Sequence, residues 1–241
     1  MPKSHRQGFL QGIAIFFVGI VLLAYVQHDP IHSTLTNVLT LTGSAMILMG
    51  VFLVVWRIRI IRCMLIAFIV GVAGLLLLPS RKIDVSGLRA RYLENLKSFE
   101  GTSYVWGGEA RNGVDCSGLP RRAWREALFS EGLATMNGHL LRAFLDSWWN
   151  DASARELAQG DGGRTVSVSG ESTLMKMSVD KLLPGDLTIT TSGVHMLVYF
   201  GDGKWIEADP VIHRVIIFDP KTDKNDWSYT PVVFYRWAEL N

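Results

Sequence analysis

Acidic residues are almost missing from the first third of this 241-residue chain, where Asp29 is the only one among residues 1–80. The same part has five basic residues and a formal charge of +4, whereas residues 81–241 hold 19 basic and 21 acidic side chains and carry −2. Neither part has the clustered basic face that nucleic acid requires, so no nucleic-acid partner is expected. The chain also has no internal repeat and no low-complexity segment, which excludes a repeat architecture.

Charges are scarce in three long apolar runs at 8–26, 37–56 and 60–78. Each run is close to the roughly 20 residues that a helix needs to cross a hydrocarbon core of about 30 Å. The alternative is three buried helices of a soluble protein, but such helices seldom run this long without charge. The first run is too long for a cleaved signal peptide and lacks a small residue before a cut. Residues 1–80 are therefore predicted to form a membrane domain with three transmembrane helices.

Basic residues are absent from the link between the first two runs, and this sets the predicted orientation. Lys3 and Arg6 precede the first run, while Arg57, Arg59 and Arg62 lie at the link between the second and the third. Short cytoplasmic loops are enriched in Lys and Arg. We therefore expect the N-terminus on the cytoplasmic side and everything after the third run on the outer side of the cytoplasmic membrane.

Cysteine is also scarce, since the chain has two, and Cys63 lies within the third apolar run. Outside the cytoplasm thiols tend to become disulfides, so the unpaired Cys116 is either a buried, inert residue or a reactive one. It lies between Asp115 and Ser117, and Pro120 is tolerated only in the first turn of a helix. The sequence predicts a helix that starts at about Cys116 or Ser117, whose positive N-terminal end lowers the thiol pKa.

Residues 81–241 are expected to form a domain of their own. Apolar residues at helical spacing over 88–99 predict an amphipathic helix, and the segment 129–170 is interpreted as helical and then irregular. In the last third of the chain, short apolar runs separated by turns predict an antiparallel sheet, with a tight Asp-Gly hairpin turn at 202–203. Helices followed by an antiparallel sheet indicate an α+β fold.

A nucleophilic thiolate needs a base within hydrogen-bond reach, and that base needs an orienting group. Among the histidines of this domain, His139 falls on a predicted surface helix, whereas His195 opens an apolar strand. The hairpin turn folds the next strand back, so Glu207 is expected beside His195, where a carboxylate could orient the ring as in a catalytic triad. A structural histidine with satisfied hydrogen bonds is the alternative. Asp209 and His213 are rivals for the role of Glu207.

Three blocks of sequence in this order carry a family resemblance: GTSYVWGGEARNGVDCSG at 101–118, LLPGDL at 182–187 and GVHMLVYFGDGKWIEA at 193–208. Together they resemble the NlpC family of papain-like cell-wall cysteine peptidases. The resemblance covers about residues 88–236 and not the membrane part. It implies a papain-like domain with helices packed on an antiparallel sheet, and hydrolysis of amide bonds in peptidoglycan stem peptides.

Carried over residue by residue, the resemblance implies two sets of site residues. The catalytic residues would be Cys116 as nucleophile, His195 as base and Glu207 as third polar group. The residues that bind substrate or the oxyanion would be Tyr104, Asp115 and Ser117. The chain departs from the family in two ways: a glutamate stands where a histidine is commoner, and an extra segment at about 129–170 lengthens the spacing between cysteine and histidine. We expect that segment to form a lid or a wall.

The sequence thus predicts a multi-pass protein of the cytoplasmic membrane whose outer domain is a cell-wall cysteine peptidase. Two other classes of function stay open. One is a thiol-dependent acyltransferase or amidase acting on a lipid or another amide, and the other is a non-catalytic cell-wall binding module. The two cysteines and six histidines show no metal-ligand spacing, so no metal or organic cofactor is implied.

Overall fold

Three long apolar helices open the chain in the computed structural model, which describes residues 3–56 and 58–241. Within those ranges, three helices are long and apolar enough to cross a membrane. Their ends agree with the predicted spans to within a few residues. The helices are α1 Lys3–His28, α2 Thr34–Val55 and α3 Arg59–Leu76.

The predicted orientation rests on basic residues that the structure does not cover. Arg57 and the side chains of Lys3 and Arg6 lie outside the described residues. Arg59 and Arg62 fall in the first turn of α3, at the end that the charge pattern assigns to the cytoplasm. The orientation stays a prediction.

Glycines bring α1 and α2 into close contact. A Cβ atom on Gly19 would lie 2.7 Å from the carbonyl oxygen of Gly43, and one on Gly50 would lie 2.7 Å from that of Gly12. Backbones approach this closely only where neither helix has a side chain, which is how small residues hold transmembrane helices together. The first two helices therefore form a tight hairpin.

The helices after the membrane part begin with an amphipathic one, as predicted for 88–99. Asp84 caps it by accepting from the amide of Gly87, and Leu88, Tyr92 and Leu96 turn one fully buried face inward. The described helices of this part are α4 Val85–Lys97, α5 Gly118–Ala134, α6 Gly138–Trp149 and α7 Ala154–Leu157.

The helices pack on an antiparallel sheet, so the predicted α+β arrangement is confirmed. In the described chain six strands form this sheet in the order β3-β8-β4-β5-β6-β7, and β1 and β2 form a separate small hairpin. Trp124 of α5 stacks on Trp237 of β8, with ring centroids 5.3 Å apart. The strands are β1 Glu109–Ala110, β2 Gly113–Val114, β3 Thr165–Ser172, β4 Leu187–Thr190, β5 Met196–Gly201, β6 Lys204–Asp209, β7 Arg214–Phe218 and β8 Val232–Trp237.

The hairpin between β5 and β6 is the feature of the sheet that positions the site. Its two turn residues, Asp202 and Gly203, have φ angles of 51° and 76°, as the predicted Asp-Gly turn requires. Val198 pairs with Ile206 across the two strands. The first half of β5 and the second half of β6 therefore lie side by side.

One strand contradicts the sequence interpretation. The stretch that includes Thr165–Ser172 was predicted to be a loop, but it forms β3 at the edge of the sheet and pairs with β8. Its serines, glycine and glutamate have little intrinsic strand preference. Hydrogen bonds to β8, which has two valines and three aromatic residues, stabilise it instead.

Candidate active site

Cys116 lies in a turn that the Asp115 carboxylate holds in place. Oδ1 of Asp115 accepts hydrogen bonds from the amides of Ser117, at 3.0 Å, and Gly118, at 2.6 Å. Oδ2 accepts from the amide of Gly107 at 2.9 Å. Helix α5 begins at Gly118 with Ser117 before it, within two residues of the predicted start. Asp115 thus positions the nucleophile, and its expected contact with substrate stays a prediction.

Gly118 and Pro120, which follow Cys116, allow the helix to start at this point. A Cβ atom on Gly118 would overlap the carbonyl oxygen of Gly108, so only glycine fits. Pro120 lies in the first turn of α5, where its missing N–H leaves no bond unmade. The structure therefore explains why the DCSG segment has an aspartate and a glycine.

The thiol of Cys116 is not activated in the way the sequence predicted. The side chain is buried at the start of α5, and this burial, with the Asp115 carboxylate next to it, raises the pKa of Cys116 to about 12. The backbone of Met196 and, at the start of the helix, of Ser117 and Cys116 acts in the opposite direction. The helix end therefore acts in the predicted direction, but the predicted net lowering of the thiol pKa was wrong, because desolvation and a neighbouring negative charge outweigh it.

This raised pKa predicts how Cys116 reacts with an alkylating agent. Below the thiol pKa, the thiolate population rises about tenfold with each pH unit. In a Cys63→Ala background, the rate of iodoacetamide labelling at Cys116 should therefore be slow at pH 6 and rise steadily through pH 10. A rate that is already at its plateau by pH 7 would show a preformed thiolate and contradict the expectation.

His195 lies just before β5 and is held by a buried hydrogen-bonded group. Its Nε2 atom is 2.5 Å from Oε2 of Glu207 on β6, and both side chains are almost fully buried. Asn225 donates from Nδ2 to the other carboxylate oxygen at 2.5 Å. The indole of Trp227 stacks on the imidazole, with centroids 4.0 Å apart and an interplanar angle of 18°. The structure therefore brings Glu207 beside His195, as the hairpin predicted.

Cys116 lies just before α5 and His195 just before β5, and the two are near each other. The backbone of Met196, the residue that directly follows His195, is close enough to the sulfur to lower the pKa of the thiol. Since Nε2 of His195 binds Glu207, the ring presents Nδ1 as its free nitrogen. The arrangement has the order that nucleophilic catalysis requires, namely a thiol, an imidazole and an orienting carboxylate.

The Glu207 carboxyl group has a raised pKa because it is buried. Its hydrogen bonds to His195 and Asn225 lower the pKa and partly offset the burial. As the pH falls, Glu207 is therefore protonated earlier than an exposed glutamate. The protonated form no longer stabilises a positive charge on the imidazole ring.

The rival residues are engaged elsewhere. The Asp209 carboxylate accepts from the amides of Val211 and Ile212 and holds the turn after β6. His213 lies in that turn with a φ of 58°, and its carbonyl oxygen accepts from the amide of Tyr104. Neither is the hydrogen-bond partner of His195 in the described structure, so the geometry favours Glu207.

The residues predicted to hold the oxyanion are only partly free to do so. The amides of Ser117 and Gly118 already donate to Asp115. Tyr104 is half-buried, and burial raises its pKa, with further contributions from the charges of Cys116 and Asp115. Its hydroxyl therefore stays protonated near the sulfur and can donate a hydrogen bond. The amide of Cys116, which faces its own sulfur, is the second candidate donor.

An open cleft of about 460 Å³ leads to Cys116. The cleft is lined by Asp115–Ser117, by Trp106 and Gly107, and by Gly193 and Val194 just before the histidine. Asp151 and residues 153–156, which belong to the extra segment at about 129–170, line it as well. That the segment acts as a lid or a wall stays a prediction.

The sequence interpretation missed residues that the structure places around the site. Asn225 and Trp227 lie in the segment between β7 and β8, where single polar and aromatic residues gave no periodic signal. Arg121 is buried beside the cleft, where it pairs with Asp151 and lies 3.6 Å from the Glu109 carboxylate. A single arginine within a helical pattern gave no signal that its side chain is buried.

A metal centre finds no support in the part of the chain that the structure describes. Within residues 3–56 and 58–241, no group of three or more His, Cys, Asp or Glu side chains is arranged to hold an ion. The site chemistry is therefore derived from the thiol, the imidazole and the carboxylate.

No similar sequence is found among curated proteins. Among solved structures, the chain is similar to NlpC2 from Trichomonas vaginalis, at 20% identity and a TM-score of 0.41 over 65% of this chain and 49% of that one. It is also similar to the peptidoglycan hydrolase RipB from Mycobacterium tuberculosis, at 17% identity and a TM-score of 0.36 over 62% and 65% of the two chains.

A third similar structure is the NlpC/p60 domain of the peptidoglycan hydrolase SagA, at 20% identity and a TM-score of 0.36 over 60% of this chain and 97% of that one. The chain spans about half the length of NlpC2 and of NlpC1 from Trichomonas vaginalis, 49% and 46%. The family model of NlpC/P60 matches residues 101–233, more than half of the sequence and the whole of the site. The chain belongs to the NlpC/P60 family.

Proposed function

We propose that this protein is a membrane-anchored cysteine peptidase that hydrolyses amide bonds in peptidoglycan stem peptides. The observation that carries the proposal is the buried pair of His195 and Glu207, whose nearest side-chain atoms are 2.5 Å apart. The pair lies at the strand end whose Met196 backbone is close to the Cys116 sulfur. A cleft open to solvent leads to that sulfur. Membership of the NlpC/P60 family supports the cell wall as the source of the substrate.

The first half of the reaction forms a thioester. Because the pKa of the Cys116 thiol is raised, the proton moves to Nδ1 of His195 as the sulfur attacks the amide carbonyl. Glu207 stabilises the imidazolium that results. The developing oxyanion is stabilised by hydrogen bonds from the Tyr104 hydroxyl and a backbone amide. The imidazolium then gives its proton to the amine nitrogen, the C–N bond breaks, and the amine leaves.

The second half regenerates the enzyme. His195 takes a proton from a water molecule while the oxygen of that water attacks the thioester carbonyl. The C–S bond breaks, a carboxylic acid is released, and the thiolate recovers its proton from His195. The net reaction consumes one water for each amide bond, with no oxidant, reductant or metal.

Digestion of purified peptidoglycan by the full-length protein in detergent micelles tests this function. Mass spectrometry should find fragments with new amine and carboxyl ends within the stem peptide. Products in which the acyl group is joined to an added amine or alcohol would instead identify an acyltransferase. Binding without any new fragment would identify a wall-binding module.

The membrane orientation gives a separate prediction. The three apolar helices and the basic residues around Arg59 support an orientation in which the domain that begins after α3 is on the outer side of the membrane. A reporter enzyme that is active only outside the cytoplasm should be active when fused after Asn241 and inactive when fused after Ile58. The reverse pattern would separate the domain from the cell wall and contradict the proposed function.

Asn225 is expected to be a positioning residue of this site. Its hydrogen bond lowers the pKa of Glu207, so Asn225→Ala should raise that pKa further. In a plot of kcat against pH, the acidic limb should then move to higher pH, with a smaller change in KM. Thr230→Ala is the matched control, since its hydroxyl donates only to Asp226 at the other end of the same short helix. A loss of activity with an unmoved acidic limb would indicate a merely structural role.

A further inference from the structure

The link between the first two membrane helices pairs with the peptidase domain. This link, residues 29–33, is called the strap. The amide of His32 donates to the carbonyl oxygen of Gly107 at 3.1 Å, and the amide of Glu109 donates to that of Pro30 at 2.8 Å. Ile31 and Gly108 are antiparallel partners between these bonds, which sets their Cα atoms about 5 Å apart. The strap thus adds a short extended segment to the edge of the domain.

Side chains reinforce the strap at the start of α2. Asn37, which is 2% exposed, donates from Nδ2 to the carbonyl oxygen of Trp148 at 3.0 Å. The His32 ring lies 3.2 Å from the same oxygen. This contact between two distant parts of the chain is specific, because a buried amide left without a hydrogen-bond partner is destabilising.

The third membrane helix is tied to the same domain. Arg142 of α6 donates to the carbonyl oxygens of Leu76 and Leu78 at 2.8 and 3.0 Å, and the amide of Gly138 donates to that of Pro79 at 3.1 Å. Eight residues, 77–84, separate α3 from α4, a reach of at most about 28 Å when fully extended. The domain is therefore held against the outer ends of the membrane helices.

Residues of this attached edge line the cleft. Gly107 accepts from the strap through its carbonyl oxygen and donates through its amide to Asp115, the residue before the nucleophile. Trp106, which lines the cleft, is 78% exposed. Tryptophan is enriched where a protein meets the interface of a membrane and water. One residue thus separates the membrane hairpin from the turn that carries Cys116.

We infer that the cleft works at the surface of the membrane, on stem peptides whose carrier is itself anchored in the outer leaflet by a lipid. This inference rests on the proposed function and names its substrate class. A peptide joined closely to a lipid stays within a short distance of the bilayer, where a cleft held by the strap and by Arg142 can receive it. Peptides of a polymer network far from the membrane lie beyond the reach of the link at 77–84.

A series of lipid-linked substrates tests this placement. The full-length protein is placed in vesicles of phosphatidylethanolamine and phosphatidylglycerol, together with one stem peptide joined to a lipid by Gly/Ser spacers of two, ten or forty residues. Such spacers have average lengths of about 8, 17 and 35 Å. The shortest should be hydrolysed fastest, at least about fivefold faster than the longest, since effective concentration falls as a spacer outgrows the distance it must span.

Each outcome separates this inference from the proposed function on which it rests. Cleavage of the forty-residue form alone, or equal rates for all three, would overturn the placement of the cleft while leaving the peptidase activity established. The same stem peptide free in solution serves as the reference substrate, and Cys116→Ala serves as the blank. If no form is hydrolysed, the proposed function is wrong and this inference falls with it.

Discussion

Cys116→Ala should lower the hydrolysis of stem peptides at least about 10³-fold, to the level of a reaction without enzyme. The reason is that the covalent step needs the sulfur, and neither water nor another side chain in the cleft replaces it. The removed atom is small, so folding should survive at a cost of about 1 kcal/mol. Thermal unfolding of the variant, followed beside its activity, checks both parts of this expectation.

Cys63→Ala is the matched control for this experiment. Cys63 lies in α3, within the membrane domain, and is exposed on that helix. Its loss should leave the rate of hydrolysis unchanged. Loss of cooperative unfolding in Cys116→Ala would instead mark Cys116 as a structural residue, and residual activity near that of the unchanged protein would exclude it as the nucleophile.

Glu207→Gln should slow turnover about 10- to 100-fold while leaving measurable activity. The amide oxygen can still accept the hydrogen bond from His195, but the negative charge that stabilises the imidazolium is gone. Glu207→Ala should slow turnover further, by about 10²- to 10⁴-fold, because the His195 ring also loses its orientation. Rates at saturating substrate, measured with the melting temperature of each variant, separate the chemistry from folding.

The variants of Asp209 and His213 are the controls for Glu207. Asp209 binds the amides of the turn after β6, so Asp209→Asn should affect stability more than kcat. His213→Ala should leave turnover close to that of the unchanged protein. A His213→Ala variant as damaged as His195→Ala, next to a nearly intact Glu207→Ala, would overturn the assignment. If neither Glu207→Ala nor His213→Ala slows turnover, the site works as a dyad of Cys116 and His195 without a third residue.

Local patterns predicted much of the fold. The spans followed from the length of the apolar runs, helix α5 from Pro120, and the β5–β6 hairpin from its Asp-Gly turn. Each of these features is set by a few neighbouring residues. Strand β3 was missed because its pairing with β8 joins residues about 70 positions apart, and its own composition indicates a loop.

The chemistry of the site was predicted less completely than its location. The hairpin register was enough to bring Glu207 to His195, because pairing across a tight turn is local. The direction of the Cys116 pKa shift was not predicted correctly, because it depends on how much of the thiol the packed domain buries. Asn225 and Trp227 were not predicted to lie at the site, because a segment between strands has no periodicity that indicates where it folds back.

Local sequence features are enough for the three apolar helices, for the turn that presents Cys116 and for the order of Cys116, His195 and Glu207 along the chain. These depend on hydropathy, on the backbone limits of proline and glycine, and on spacing across one hairpin. Three other features arise only in the folded chain: burial raises the pKa of the Cys116 thiol, Asp115 binds backbone amides, and the strap lies one residue from the turn that carries Cys116. The physical reason is that desolvation and long-range hydrogen bonds exist only once distant segments have packed together.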